Sequence, residues 1–341
     1  MGFFNIYPFI NIIINRGDII RNIFLIIGGL ALFLFGLNLM RESLSKVNND
    51  KLKNVIQKAT GSKFKALLTG ILTTALIQSS SGVTAIVVAF MSADIIGFTQ
   101  GVMIMIGANI GTTLTAFIFS LNIESYSLAI IAVAYLLNIF KSFKIKQIAN
   151  ALLGLGILFQ GITFMNEAFV LIADSPLFFL ITVIISKNSV LGFIGGAILS
   201  ALIQSSSATI GLVQNLYYLD IISLRSAVPI MLGANAGTTI ASLIVAIGAT
   251  RIAKKAINVN ILFNVIGGVI FLIFMNPFID LLEYLESIPN IIANRKITIA
   301  YSHLIYNIIS SIIFFFLYNY LFKKSYEKKL TPQNNYDKIF A

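Results

Sequence analysis

The sequence predicts an all-α polytopic membrane protein built from two inverted-topology repeats, each with a re-entrant or broken helical hairpin carrying Gln-Ser-Ser-Ser. Three observations lead there. First, 57% of the 341 residues are hydrophobic and 11% charged, with a mean hydropathy of +0.91, where a soluble domain would carry about a quarter charged residues. Second, the heptapeptide Ala-Leu-Ile-Gln-Ser-Ser-Ser at 75–81 returns unchanged at 201–207. Third, the basic residues crowd into loops that differ between the two halves.

Taken in order, residues 3–14 are apolar with no basic residue ahead of them, which suits residues 1–18 as an N-terminal interfacial segment and not a cleaved signal peptide. Residues 19–147 form membrane repeat 1. It opens with a span at 19–40 and a basic loop at 41–65, and continues with a run at 66–93 that is too short for two crossings and broken by its Ser run. A run at 100–121 follows, interrupted by Gly107-Ala108-Asn109-Ile110-Gly111-Thr112-Thr113, and then a short apolar run at 126–140. Residues 148–275 form repeat 2: a span at 148–172, a weaker interfacial run at 177–185, the second Ser run within 191–218, Gly233-Ala234-Asn235-Ala236-Gly237-Thr238-Thr239 within 227–249, and a span at 256–275. Residues 276–322 make an acidic connection and the last transmembrane helix, and 323–341 a basic cytoplasmic tail.

From Gln78 onward the halves align without a gap: 126 positions on from Gln78, Asn109, Thr112 and Asn138 stand Gln204, Asn235, Thr238 and Asn264. Upstream the offset is 125, taking Gly36, Met40 and Glu42 to Gly161, Met165 and Glu167. Repeats of this size are transporter halves, not solenoid units. Charge sets their orientation. The loop at 41–65 holds seven Lys and Arg residues, whereas its counterpart at 166–190 holds only Lys187; Arg251, Lys254 and Lys255 match an acidic stretch around Glu124. The positive-inside rule puts equivalent loops on opposite faces, with roughly seven crossings and a cytoplasmic C-terminus.

The residue types narrow the chemistry. With no Cys and a single His303, disulfides, thiolate metal sites and histidine-rich metal sites are excluded. The net charge of +11 lies in loops beside apolar runs, a topology signal and not a nucleic-acid surface. A broken membrane helix frees N–H groups for an anion and carbonyls for a small cation. Ser and Thr hydroxyls and the Gln and Asn amides serve either, and hard oxygens of this kind suit an alkali cation. Neither broken hairpin nor Gly-Ala-Asn run carries a charged side chain. An oxyanion held there by neutral donors at bilayer depth needs cations entering with it; a neutral polar solute would not.

The paired Gln-Ser-Ser-Ser, each copy followed by Gly-x-Asn-x-Gly-Thr-Thr, resembles the type II sodium-dependent phosphate cotransporter family over residues 25–320. The resemblance implies symport of inorganic phosphate driven by sodium. By position it implicates Gln78, Ser79, Ser80, Ser81, Thr84 and Asn109 with Gln204, Ser205, Ser206, Ser207, Thr209 and Asn235. Thr112, Thr113, Thr238 and Thr239 join the substrate and sodium set as hydroxyls of the second motif. The expected partners are phosphate, sodium and the lipid bilayer, with no nucleic acid, no cofactor beyond sodium, no enzymatic activity, and a homo-oligomer left open. The expected place is the cell (inner) membrane. Bacterial relatives often carry a soluble phosphate-regulator domain after the membrane part, which is not expected here.

Competing readings are a cotransporter of another small oxyanion or polar solute, an intramembrane hydrolase pairing a Ser with His303, and a passive channel. The hydrolase lacks a base near either Ser run. Ala300-x-x-His303-x-x-Tyr306-Asn307 echoes Ile257-x-x-Asn260-x-x-Phe263-Asn264; His303 is read as a structural hydrogen-bonder, and Asn138, Asn264 and Asn307 as ties between helices.

Overall fold

The computed structural model describes residues 7–58, 62–173, 176–288 and 294–326; most of the expected cytoplasmic tail lies outside them. The regular elements among these residues are one 3-10 turn and thirteen α-helices: α1 (Tyr7–Lys58), α2 (Lys63–Ile77), α3 (Ser80–Ser92), α4 (Phe98–Phe119), α5 (Ser127–Leu137), α6 (Phe143–Ala173), α7 (Pro176–Lys187), α8 (Ser189–Ile203), α9 (Ser206–Tyr218), α10 (Leu224–Val245), α11 (Arg251–Ile273), α12 (Met275–Ser287) and α13 (Arg295–Tyr326). Six helices are long and apolar enough to cross a membrane: the 20–46 part of α1, then α4, α6, α10, α11 and α13. This makes a multi-pass membrane protein. The short apolar run at 126–140 holds the eleven-residue α5, shorter than any of these six.

The 41–65 stretch is not a loop over most of its length, since α1 runs on to Lys58. No Gly or Pro occurs between Leu37 and Thr60 to stop it. Residues 7–18 belong to the same helix.

The duplication is written into the helix bounds. α2, α3 and α4 begin and end 126 residues before α8, α9 and α10. Even the unusual backbone recurs: the positive-φ residues Gln78 and Asp94 are matched by Gln204 and Asp220. Gln78 (φ 62°, ψ 25°) and Gln204 (φ 56°, ψ 28°) are left-handed and end their helices. The next residue is extended and restarts the chain: Ser79 Oγ accepts from Gly82 N at 3.1 Å, and Ser205 Oγ from Ala208 N at 3.2 Å. Such a turn costs a non-Gly residue about 1–2 kcal/mol, offset by the cap.

Small residues set the tertiary frame. A Cβ on Gly107 would overlap Leu67 O, and one on Gly233 would overlap Phe193 O, both closer than 3.0 Å. α4 therefore lies backbone to backbone on α2, as α10 does on α8. α1 and α6 meet in the same way through two reciprocal contacts, Gly29 against Gly161 and Gly36 against Gly154. As the number rises on α1 it falls on α6, so the helices are antiparallel.

Candidate binding site: a neutral polar cavity

The helix breaks put the N-termini of α3 and α9 at one cavity. Ser80, Ser81, Thr84 and Asn109 line it with Ser206, Asn235, Thr238, Thr239, Ser242, Asn260 and Asn264, around some 310 Å³ of empty space counting its mouth. None of these side chains is charged. The first amides of each helix lack intrahelical acceptors, and the helix dipole adds partial positive charge there. Hydroxyls and free amides at two helix N-termini give the cavity hydrogen-bond donors of the kind that suit an anion, without a formal charge.

Eight of the sixteen residues expected from the sequence line this cavity, and the structure shows what occupies the others. Gln78 is buried, donating through Nε2 to Ala75 O at 2.5 Å and accepting through Oε1 from Thr115 Oγ1 at 2.8 Å. Gln204 is exposed. Ser79 and Ser205 cap their helices. Ser207 is buried without lining the cavity. Thr112, Thr113 and Thr209 donate to the carbonyls of Ala108, Ile110 and Ser205, as hydroxyls in apolar helices do.

Five side chains that the motifs did not supply join or support the site, one of them Ser242 on the cavity wall. Asn260 accepts from Asn109 Nδ2 at 3.1 Å. Asn264 lines the cavity with a buried Oδ1 that has no partner; its Nδ2, like those of Asn138 and Asn307, donates back to its own helix. These asparagines do not tie helices through their amide groups. His303, fully buried on α13, has Nε2 3.1 Å from Asn235 Oδ1. Arg41, at the end of the apolar part of α1, donates through Nη1 to Ser205 Oγ at 3.4 Å. A cation therefore stands beside the second break although neither motif contains one. The Asn260/His303 echo was the only sequence signal for this outer layer.

The start of α13 is fastened by charge. Lys296 is buried in an ion pair with Glu124, Arg295 pairs with Asp220 and covers the Tyr217 ring at 4.4 Å, and Glu286 accepts from Tyr217 and Thr298. Counting 126 on from Glu124 gives Thr250, an exposed residue whose hydroxyl reaches Oγ of the half-buried Ser92 at 3.5 Å.

The sequence profile of the Na+/Pi-cotransporter family matches residues 32–167 and 177–284. The chain belongs to that family. It is thus one of a family of transmembrane phosphate transporters. Over 85% of its length it is 28% identical to the uncharacterised protein YqeW of Bacillus subtilis, covering 93% of that protein. It is 27% identical to the putative inorganic phosphate export protein YjbB of Salmonella typhimurium over 83% of this chain, but spans about half (51%) of that relative. A segment of 63 residues, 18% of this chain, is 38% identical to 9% of the human sodium-dependent phosphate transport protein 2B. No solved structure matches. Within the family's matched region fall both helix breaks, both Gly-Ala-Asn runs and α11; Arg295, Lys296 and His303 on α13 lie beyond it.

Proposed function

We propose that the chain carries inorganic phosphate with sodium across the cell membrane, holding both in the cavity between α3 and α9 and exposing it to each face in turn. The observation that carries this is the cavity itself: two helix N-termini and a ring of hydroxyls and amides with no charged lining residue. A phosphate there meets no charged lining side chain, and Arg41 reaches only the Ser205 cap at one side, so a co-bound cation lowers the cost of desolvating it. The family membership supports phosphate as the substrate.

The two halves act as inverted repeats in this reading. The antiparallel α1–α6 contact supports it, because its two glycine pairs exchange under the 125-residue offset: such self-complementary pairing is the mark of a two-fold axis. The helix breaks then act as re-entrant hairpins entering from opposite faces. The charged fastening at Lys296–Glu124 closes the outer end, while the weak Ser92–Thr250 contact and Ser242, near the end of α10, mark the end that opens to the cytoplasm. α13 in this arrangement ends on the cytoplasmic face.

The test is uptake of labelled phosphate by proteoliposomes under an imposed sodium gradient. Uptake that rises with inward sodium supports the reading. Uptake indifferent to sodium, or unaffected by excess unlabelled phosphate, rejects it.

A further inference from the structure

Two of the four cavity asparagines, Asn109 and Asn235, are equivalent by sequence yet are held in opposite senses. Asn109 spends its N–H groups: Nδ2 donates to Met105 O at 3.2 Å and to Asn260 Oδ1 at 3.1 Å. A backbone carbonyl can only accept, so this amide is pinned with its oxygen as the group left for a ligand. Asn235 makes no such bond, and its Nδ2 is buried with no partner. Its Oδ1 faces His303 Nε2, and His303 Nδ1 is itself buried without a partner. Buried N–H groups are left orphaned more rarely than acceptors, so the imidazole proton sits on Nε2 and donates to Asn235 Oδ1. Beside Asn109, Asn264 adds a second unpaired carbonyl oxygen on the cavity wall.

We propose that this pairing sorts the two solutes within the cavity. Asn235 Nδ2, aimed by His303 as a positioning residue, donates to the oxyanion beside Ser80, Ser81 and Ser206. Asn109 Oδ1 and Asn264 Oδ1 offer neutral oxygens to the alkali cation. The difference originates outside both motifs, in Asn260 standing on α11 where His303 stands on α13. This inference rests on the phosphate and sodium reading above and assigns its atoms.

The experiment measures the thermal stability of purified protein, titrated with sodium against choline and then with phosphate at saturating sodium. In His303→Leu, the half-saturating phosphate should rise about tenfold or more, the scale of one lost hydrogen bond to a charged group, with the sodium midpoint unmoved. His303→Gln, which keeps an N–H donor, should restore it. Asn235→Asp should abolish the phosphate response and keep the sodium response, whereas Asn109→Asp should keep both and lower the sodium midpoint. A wild-type protein stabilised by sodium but not by phosphate overturns the phosphate reading and this inference with it. A wild type that responds to both, with His303→Leu or the two Asp variants shifting both midpoints alike, overturns the sorting alone.

Discussion

Thr115 Oγ1 donates to Gln78 Oε1 at 2.8 Å between α2 and α4, while the residue equivalent to Thr115 in the second half is Ala241. One hydroxyl thus makes two identical heptapeptides behave differently: Gln78 is a buried strut and Gln204 is exposed. Gln78→Ala should cost about 1–3 kcal/mol of stability, because Thr115 loses its acceptor in a buried site. Gln204→Ala should change stability by no more than about 0.5 kcal/mol. Thermal unfolding of the two variants side by side checks this.

The helix crossings depend on the absence of a Cβ. Gly233→Ala should push α10 from α8 and sharply reduce folded protein, since the new carbon meets the Phe193 carbonyl and not a side chain that can turn away. Gly28→Ala is the control, with nothing within 4 Å of the added carbon. Monodisperse yield in detergent separates them.

The buried Lys296–Glu124 pair should be intolerant of single neutralisation. Glu124→Gln leaves an uncompensated ammonium at a site where the lysine side chain is 2% exposed, a change that costs about 3–5 kcal/mol when a buried pair is broken. The double variant Glu124→Gln with Lys296→Gln should recover most of the lost stability. A double-mutant cycle in thermal unfolding reads the coupling.

Topology is open to direct test because the chain has no cysteine to mask. Phe64→Cys and Val190→Cys occupy equivalent positions 126 apart, and both native side chains are exposed. Inverted repeats require that a membrane-impermeant thiol reagent label Cys at 64 from the cytoplasmic side only and Cys at 190 from the outer side only. Labelling of both from one face would mean that the halves are parallel.

Arg41 brings a charged side chain into a bond at a helix break; the residue 125 positions on, Asn166, bonds Asn215 instead. Arg41→Gln should raise the phosphate concentration needed for half-maximal uptake several-fold, about the worth of one charge-assisted bond, and flatten its dependence on ionic strength. Uptake kinetics at low and high salt measure both.

The sequence alone determined the membrane class, the all-helical architecture, the 126-residue duplication and the places where helices break, because hydropathy, period and turn chemistry are local properties of the chain. The same local logic named the residues at the breaks, and eight of them do line the cavity. What it could not decide is how each member of a repeated pair is held. That choice belongs to partners far away in sequence: Thr115 for Gln78, Asn260 for Asn109, His303 for Asn235 and Arg41 for Ser205. Helix continuity at 41–58 also escapes a reading by charge, which predicts a loop there although no residue breaks the helix. Tertiary packing alone made identical motifs unequal, because a buried amide takes its direction from whatever donor or acceptor the opposing helix brings to it.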